Sequence, residues 1–244
     1  MKKELLFFLF LIFSLAFTTS CSAGKHDKNP EDGKTLNVQE FNSISLRGGF
    51  TVSLSQGDKS GISVEAPNAL MNELRVSVDD GELKIVDTRF ERGEHHDDWE
   101  NMARRIHLNI TIKSLKDLRI SGYVSLKTKE PLMTDNLNID IEGGGRLRMD
   151  LVTEKLGINI EGGVSMELGG QVRYLTSHIE GAGKISAYDM KVNRADISIN
   201  GAGYASVNVS DHLKVDMDGV GWVRYKGDPM VEKNVDGVGF VSKE

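Results

Sequence analysis

One glycine recurs down the second half of this chain and limits what the chain can fold into. It stands at Gly122, Gly143, Gly162, Gly181, Gly201, Gly219 and Gly237, at spacings of 21, 19, 19, 20, 18 and 18 residues. The text around it recurs as well: Ile-Glu-Gly at 141–143, 160–162 and 179–181, Ile-Asn-Gly at 199–201 and Met-Asp-Gly at 217–219. Two residues before the glycine stand Ile120, Ile141, Ile160, Ile179, Ile199, Met217 and Val235. Four residues after it stand Leu126, Leu147, Met166, Ile185, Ala205, Val223 and Val241. Polar residues fill the positions between. Apolar residues at every second position mark a strand with one buried face. Each copy therefore reads as strand, glycine corner, strand, with the glycine giving the corner a conformation that other residues resist.

A unit of 18–21 residues built from short strands cannot bury its apolar face alone. Stacked copies can, each strand pairing with its equivalent in the next copy. The expectation is an all-β fold: a right-handed parallel β-helix or solenoid, with a β-rich N-terminal part. At about 4.8 Å per rung, seven copies span roughly 30 Å. An antiparallel sandwich is the competing arrangement, and the persistence of each apolar column argues against it. The repeats cover about 118–240.

Residues 36–116 are strand-like without showing that spacing. Phe41 to Leu46 and Phe50 to Leu54 alternate around Gly48 and Gly49. Asp80-Gly81, between Leu74–Val78 and Leu83–Val86, predicts a hairpin. Residues 106–112 form another alternating strand. This half is expected to extend the stack and cap its first rung. Residues 89–102 read as a charged loop.

The first residues belong to targeting rather than to the fold. Lys2 and Lys3 precede an apolar run from Leu5 to Phe17, broken by Ser14. A basic start, a short apolar run and small residues after it describe a secretory signal peptide. The run falls short of the ~20 residues that span a bilayer. Thr18, Thr19 and Ser20 lead into Cys21, the single cysteine of the chain. That is where a bacterial lipoprotein carries its lipid, so Cys21 is the expected lipidation site. Thr18 stands where the usual motif has Leu. The division is then a signal peptide at 1–20, a polar tether at 21–35 and one domain at 36–244. The implied location is the bacterial cell envelope, lipid-anchored, at the outer membrane.

The pattern resembles the family described as "Putative auto-transporter adhesin, head GIN domain" over about 38–240. The resemblance rests on the opening Phe41…Gly49-Phe50…Val52, the repeated Ile-x-Gly-x-Gly turns and the closing Tyr225-x-Gly227-x-Pro229. It implies a right-handed β-helical protein, secreted or lipid-anchored, and brings no catalytic residues with it. The family's turn usually places Ser before the first Gly. Here Ser121 does so once, and Glu, Asp or Asn follow.

That column is the first candidate site. Glu142, Glu161, Glu180, Asp218 and Asp236 point outward one copy apart. They read either as a cation ladder, for which Ca²⁺ is the fitting ion, or as a solvated acidic edge. The second candidate stands three residues after the glycine, where the column ends in Tyr204, Trp222 and Phe240. An exposed aromatic strip suits a contact surface, sugar rings included; it could equally cover an open end of the stack. Glu94-His95-His96-Asp97-Asp98 has metal-binding residue types. However, neighbours on an extended chain face opposite ways, so no metal site is assigned there. The sequence carries no nucleophile elbow, Walker loop or His-Glu-x-x-His. A net charge of −6 argues against nucleic acid. The reading is a non-enzymatic adhesion or ligand-contact module, expected to need no cofactor. Its partners would be the membrane, through the lipid, and a glycan or an envelope protein. A polysaccharide-active β-helix enzyme and a structural or signalling component remain as alternatives.

Overall fold

The structure, a computed structural model, describes residues 33–93 and 99–244. Cys21, the signal segment, most of the tether and the Glu94–Asp98 cluster lie outside the described residues. Glu31–Glu244 forms one compact unit by itself, and every strand pair and the core cluster fall inside it. The described residues are all-β, predominantly strand with three short helices, and the sheet is not closed.

The order of elements follows the alternation read above. β1 (Lys34–Leu36), β2 (Ser43–Gln56) and β3 (Gly61–Glu65) precede the single-turn helix α1 (Asn68–Met71). β4 (Leu74–Asp79) and β5 (Glu82–Asp87) form the predicted hairpin, antiparallel from Leu74–Asp87 to Asp79–Glu82. Its turn places Asp80 and Gly81 at φ 51° and 75°, the left-handed pair such a hairpin requires. The stretch read as a charged loop instead holds α2 (Thr88–Glu91) and α3 (Trp99–Ala103). The Asp87 carboxylate caps α2, accepting from the Arg89 backbone N–H at 3.0 Å and pairing with the Arg89 guanidinium. Glu100 of α3 pairs with Arg104 and with Arg146 of the repeats, which holds its carboxyl below the usual range, the Arg104 hydrogen bond contributing most. These local side-chain bonds turn a polar segment into two short helices.

β6 (His107–Ile112), β7 (Asp117–Thr128), β8 (Leu132–Lys226) and β9 (Met230–Lys243) complete the chain. β8 runs as one extended path through the repeats. The apolar columns are its buried face: Ile141, Ile160, Ile179, Ile199 and Met217 are all buried, as are Leu147, Met166, Ile185, Ala205 and Val223. Parallel pairing aligns the copies. Leu118, Ile120 and Gly122 lie opposite Ile139, Ile141 and Gly143, and Met217 and Gly219 lie opposite Val235 and Gly237.

The glycine is required at this corner for two reasons. Gly143 and Gly162 have φ of 124° and 130°. A methyl on either would also overlap the carbonyl oxygen of the glycine one copy back. The same overlap runs from Gly181 to Gly237, so the glycines stand one against the next.

The repeat reaches one copy further back than its spacing shows. Ile44, Leu46, Gly48, Phe50 and Val52 of β2 lie opposite Leu118, Ile120, Gly122, Val124 and Leu126 of β7. Gly48 has φ 133°, and its carbonyl stands where a methyl on Gly122 would go. Residues 57–116 hide this copy by separating it from the others. They return as β5 and β6, both parallel to β2 on its other edge, with antiparallel β4 beyond β5, and β3 and β1 beyond β6.

Candidate functional site: an aromatic strip and the cleft beside it

The outward columns place the candidate residues. Trp222 lies opposite Phe240 across the β8–β9 pair. Gly221 packs against the Gly203 carbonyl, which sets Trp222 one copy beyond Tyr204. The three aromatic residues thus form one row. Trp222 and Phe240 are 50% and 62% exposed, so none of the described residues covers them. Tyr204 is half-buried, with the Lys184 ammonium 6.0 Å from its ring centroid.

The structure adds residues that sequence reasoning missed. Val220 and Val238 face each other beside the aromatic pair and are 49% and 66% exposed. The signal was present one residue after the glycine, where the column reads Tyr123, Gly144, Gly163, Ala182, Ala202, Val220, Val238. Small residues give way to branched ones only in the last two copies. Together the four side chains make an apolar block, and exposed blocks of this kind mark contact sites more often than isolated apolar residues do.

The acidic column runs along the outside of the copies and does not converge. Glu142, Glu161, Glu180, Asp218 and Asp236 are exposed, and Asp218 lies opposite Asp236. Ser121 donates to Glu142 at 3.2 Å, and His178 lies 3.0 Å from Glu180. Among the described residues no three His, Cys, Asp or Glu side chains are grouped to hold a metal ion.

Tyr204 also walls a cleft of about 720 Å³ on the flank of the stack. Its opposite wall carries Arg148, which donates to Glu167 at 2.7 Å. Tyr188 lines the cleft too, its ring held under the Lys226 ammonium at 4.3 Å from the centroid. The Tyr188 hydroxyl is buried. Burial pushes its pKa up to about 12, with the Glu244 carboxylate adding to the rise.

Fold and surface together define an all-β repeat protein whose conspicuous external features are an apolar strip and a polar cleft. The chain belongs to the family described as "Putative auto-transporter adhesin, head GIN domain", which matches residues 40–229. Solved structures share its fold. One described as a putative adhesin from Bacteroides fragilis aligns with a TM-score of 0.75 at 22% identity, covering 87% of this chain and 96% of the other. A putative adhesin from Parabacteroides merdae aligns with a TM-score of 0.65 at 21% identity, covering 88% and 97%. A putative lipid binding protein from Parabacteroides distasonis aligns at 0.64 and 21%, covering 87% and 96%. No curated protein matches the chain. The family is adhesin-like, and its description and those of these relatives name no enzyme.

Proposed function

We propose that this chain is a non-enzymatic ligand-contact module of the bacterial cell envelope, exported and lipid-anchored through Cys21 at the outer membrane. In this reading the stack is a right-handed parallel β-helix with rungs of 18–21 residues. The stacked glycines and the parallel register from β2 to β9 support that geometry. The observation that carries the functional reading is the exposed block of Val220, Trp222, Val238 and Phe240, continued by Tyr204. Aromatic faces contribute contact area at little conformational cost, and a sugar ring offers them an apolar C–H face.

The repeated acidic column argues for a contact surface rather than a hydrolase. Two carboxylates share catalytic work only when their environments separate their pKa values. A column of carboxylates open to solvent offers no enclosed pair of this kind.

The test is a glycan-array screen of residues 31–244, wild type beside Trp222→Ala, with and without Ca²⁺. The expected outcome is a specific hit that weakens about tenfold or more in the variant, as for loss of a central aromatic anchor. A wild-type protein that binds no glycan under either condition overturns the glycan reading.

A further inference from the structure

We infer that the cleft beside Tyr204 is a subsite for one neutral sugar residue. This deepens the ligand-contact reading and rests on it, sharing only Tyr204 with the exposed strip. The cleft exists because the outward columns shrink locally. Five residues after the repeat glycine the copies read Arg148, Glu167, Ser186, Ser206, Arg224; seven after, they read Asp150, Gly169, Tyr188, Asn208, Lys226. Gly169, Ser186 and Ser206 form a floor of small residues between long walls. A volume of about 720 Å³ falls within the range of small-molecule sites.

Gly169 carries a further sign of purpose. Its backbone does not take the left-handed conformation that demands glycine. What a side chain there would meet is the Asp150 carboxylate, whose Oδ1 occupies the space of the missing methyl. Glycine at 169 therefore makes room for the Asp150 carboxylate to lie over the floor.

The polar groups suit hydroxyls. Arg148 and Glu167 neutralise one another. The Lys184 ammonium and the Asp150 and Asp189 carboxylates line the cleft with no ion pair or hydrogen bond to another described residue. Free carboxylates accept from hydroxyl groups and an ammonium donates to them, each bond being charge-assisted. Tyr188 and Tyr204 supply flat faces beside these groups. Two cations against three carboxylates leave no positive excess, so the cleft selects against uronic acids and phosphorylated sugars.

The experiment is an NMR titration of ¹⁵N-labelled residues 31–244 with glucose, galactose, mannose and N-acetylglucosamine, with glucuronate as the anionic comparison. A monosaccharide is small enough to seat in the cleft without the strip, and the positions of the shifted amides tell the two apart. The expected result is a saturable shift of the Gly169, Ser186 and Ser206 amides by at least one neutral sugar. The exposed double variant Asp150→Asn/Asp189→Asn should weaken it about tenfold or more. Gly169→Ala, which displaces the Asp150 carboxylate, should weaken it as well. Both variants should keep the wild-type spectrum elsewhere. Stronger binding of glucuronate, or no shift at these amides with any neutral sugar, overturns the subsite. Shifts confined to Val220, Trp222 and Phe240 would do the same and leave the strip as the contact surface. Binding lost in the carboxamide variant and intact in Trp222→Ala would support the cleft against the strip.

Discussion

Ser177 interrupts a column of core residues. Leu118, Ile139, Ile158, Ile197 and Val215 hold the same place in other copies, and all are buried. Ser177 is 2% exposed, and its hydroxyl has no hydrogen-bond partner among the described residues. A desolvated hydroxyl without a hydrogen bond costs stability that an apolar side chain would not. Ser177→Ala should stabilise the domain by about 1 kcal/mol, read as a higher urea midpoint at unchanged slope. Tyr188 gives the corresponding prediction in pH. Its phenol titrates at about 12 in the folded protein against an ordinary 10.0. Below pH 10 the folded and unfolded chains both hold that proton. Between 10 and 12 the unfolded chain releases it first, so stability falls as pH rises through this window. Tyr188→Phe should remove that part of the alkaline loss. Phenolate absorbance should show one tyrosine fewer titrating late in the variant.

Within β8, two adjacent glycines separate backbone necessity from mere tolerance. Gly162 has φ 130°, and a methyl on it would strike the Gly143 carbonyl; Gly163 has nothing within 4 Å of the equivalent position. Gly162→Ala should cost about 3 kcal/mol or more, since strain and overlap add. Gly163→Ala should stay within about 0.5 kcal/mol of wild type. Equal effects in thermal melts would mean that the corner does not depend on close stacking. The element also shows why the N-terminal copy was hard to see. Gly48 repeats the corner, but between β2 and β7 the chain leaves the stack, forms two antiparallel excursions and returns.

The two ends of the molecule are finished differently. Beyond β2, the stack is closed by β5 and β6 and their antiparallel partners, with α3 packed against β2 and β7. At the other end β9 pairs only with β8 among the described strands. Its inward positions show what a last copy looks like: Val235 is 37% exposed where Met217, one copy back, is 2%. In β9 two of the core columns end in charge. Lys233 lies opposite buried Val215, and Lys243 opposite the partly buried Tyr225. Lysines set at core-column positions of an edge strand obstruct the pairing of another strand. Lys233→Ile combined with Lys243→Leu should therefore make the domain self-associate with concentration, while wild type sediments with a weaker dependence. No change in the sedimentation profile would mean that the lysines do not guard this edge.

How much of this was legible in the chain follows from how local each signal is. The glycine period, the alternation, the hairpin at Asp80-Gly81 and the outward setting of Trp222 and Phe240 could all be read from residues close together. The first copy in β2 could not, because 57–116 break the period that identifies the rest. The short helices beside residues 89–102 were missed because single side-chain bonds, Asp87 to the Arg89 N–H and Glu100 to Arg104, set them without any apolar periodicity.

By itself, the sequence determined that this protein is β-structured, that one face of each strand is buried and that every copy turns at a glycine. Each of those is written in neighbouring residues. Tertiary structure alone decided that Gly48 belongs to the same column as Gly122, that Val220 and Val238 join the aromatic pair, and that Gly169, Ser186 and Ser206 line up as the floor of a cleft. From one copy to the next, the residues brought together here lie between 17 and 74 positions apart. Only the register of parallel pairing, which fixes which residue stands above which, brings them into one surface.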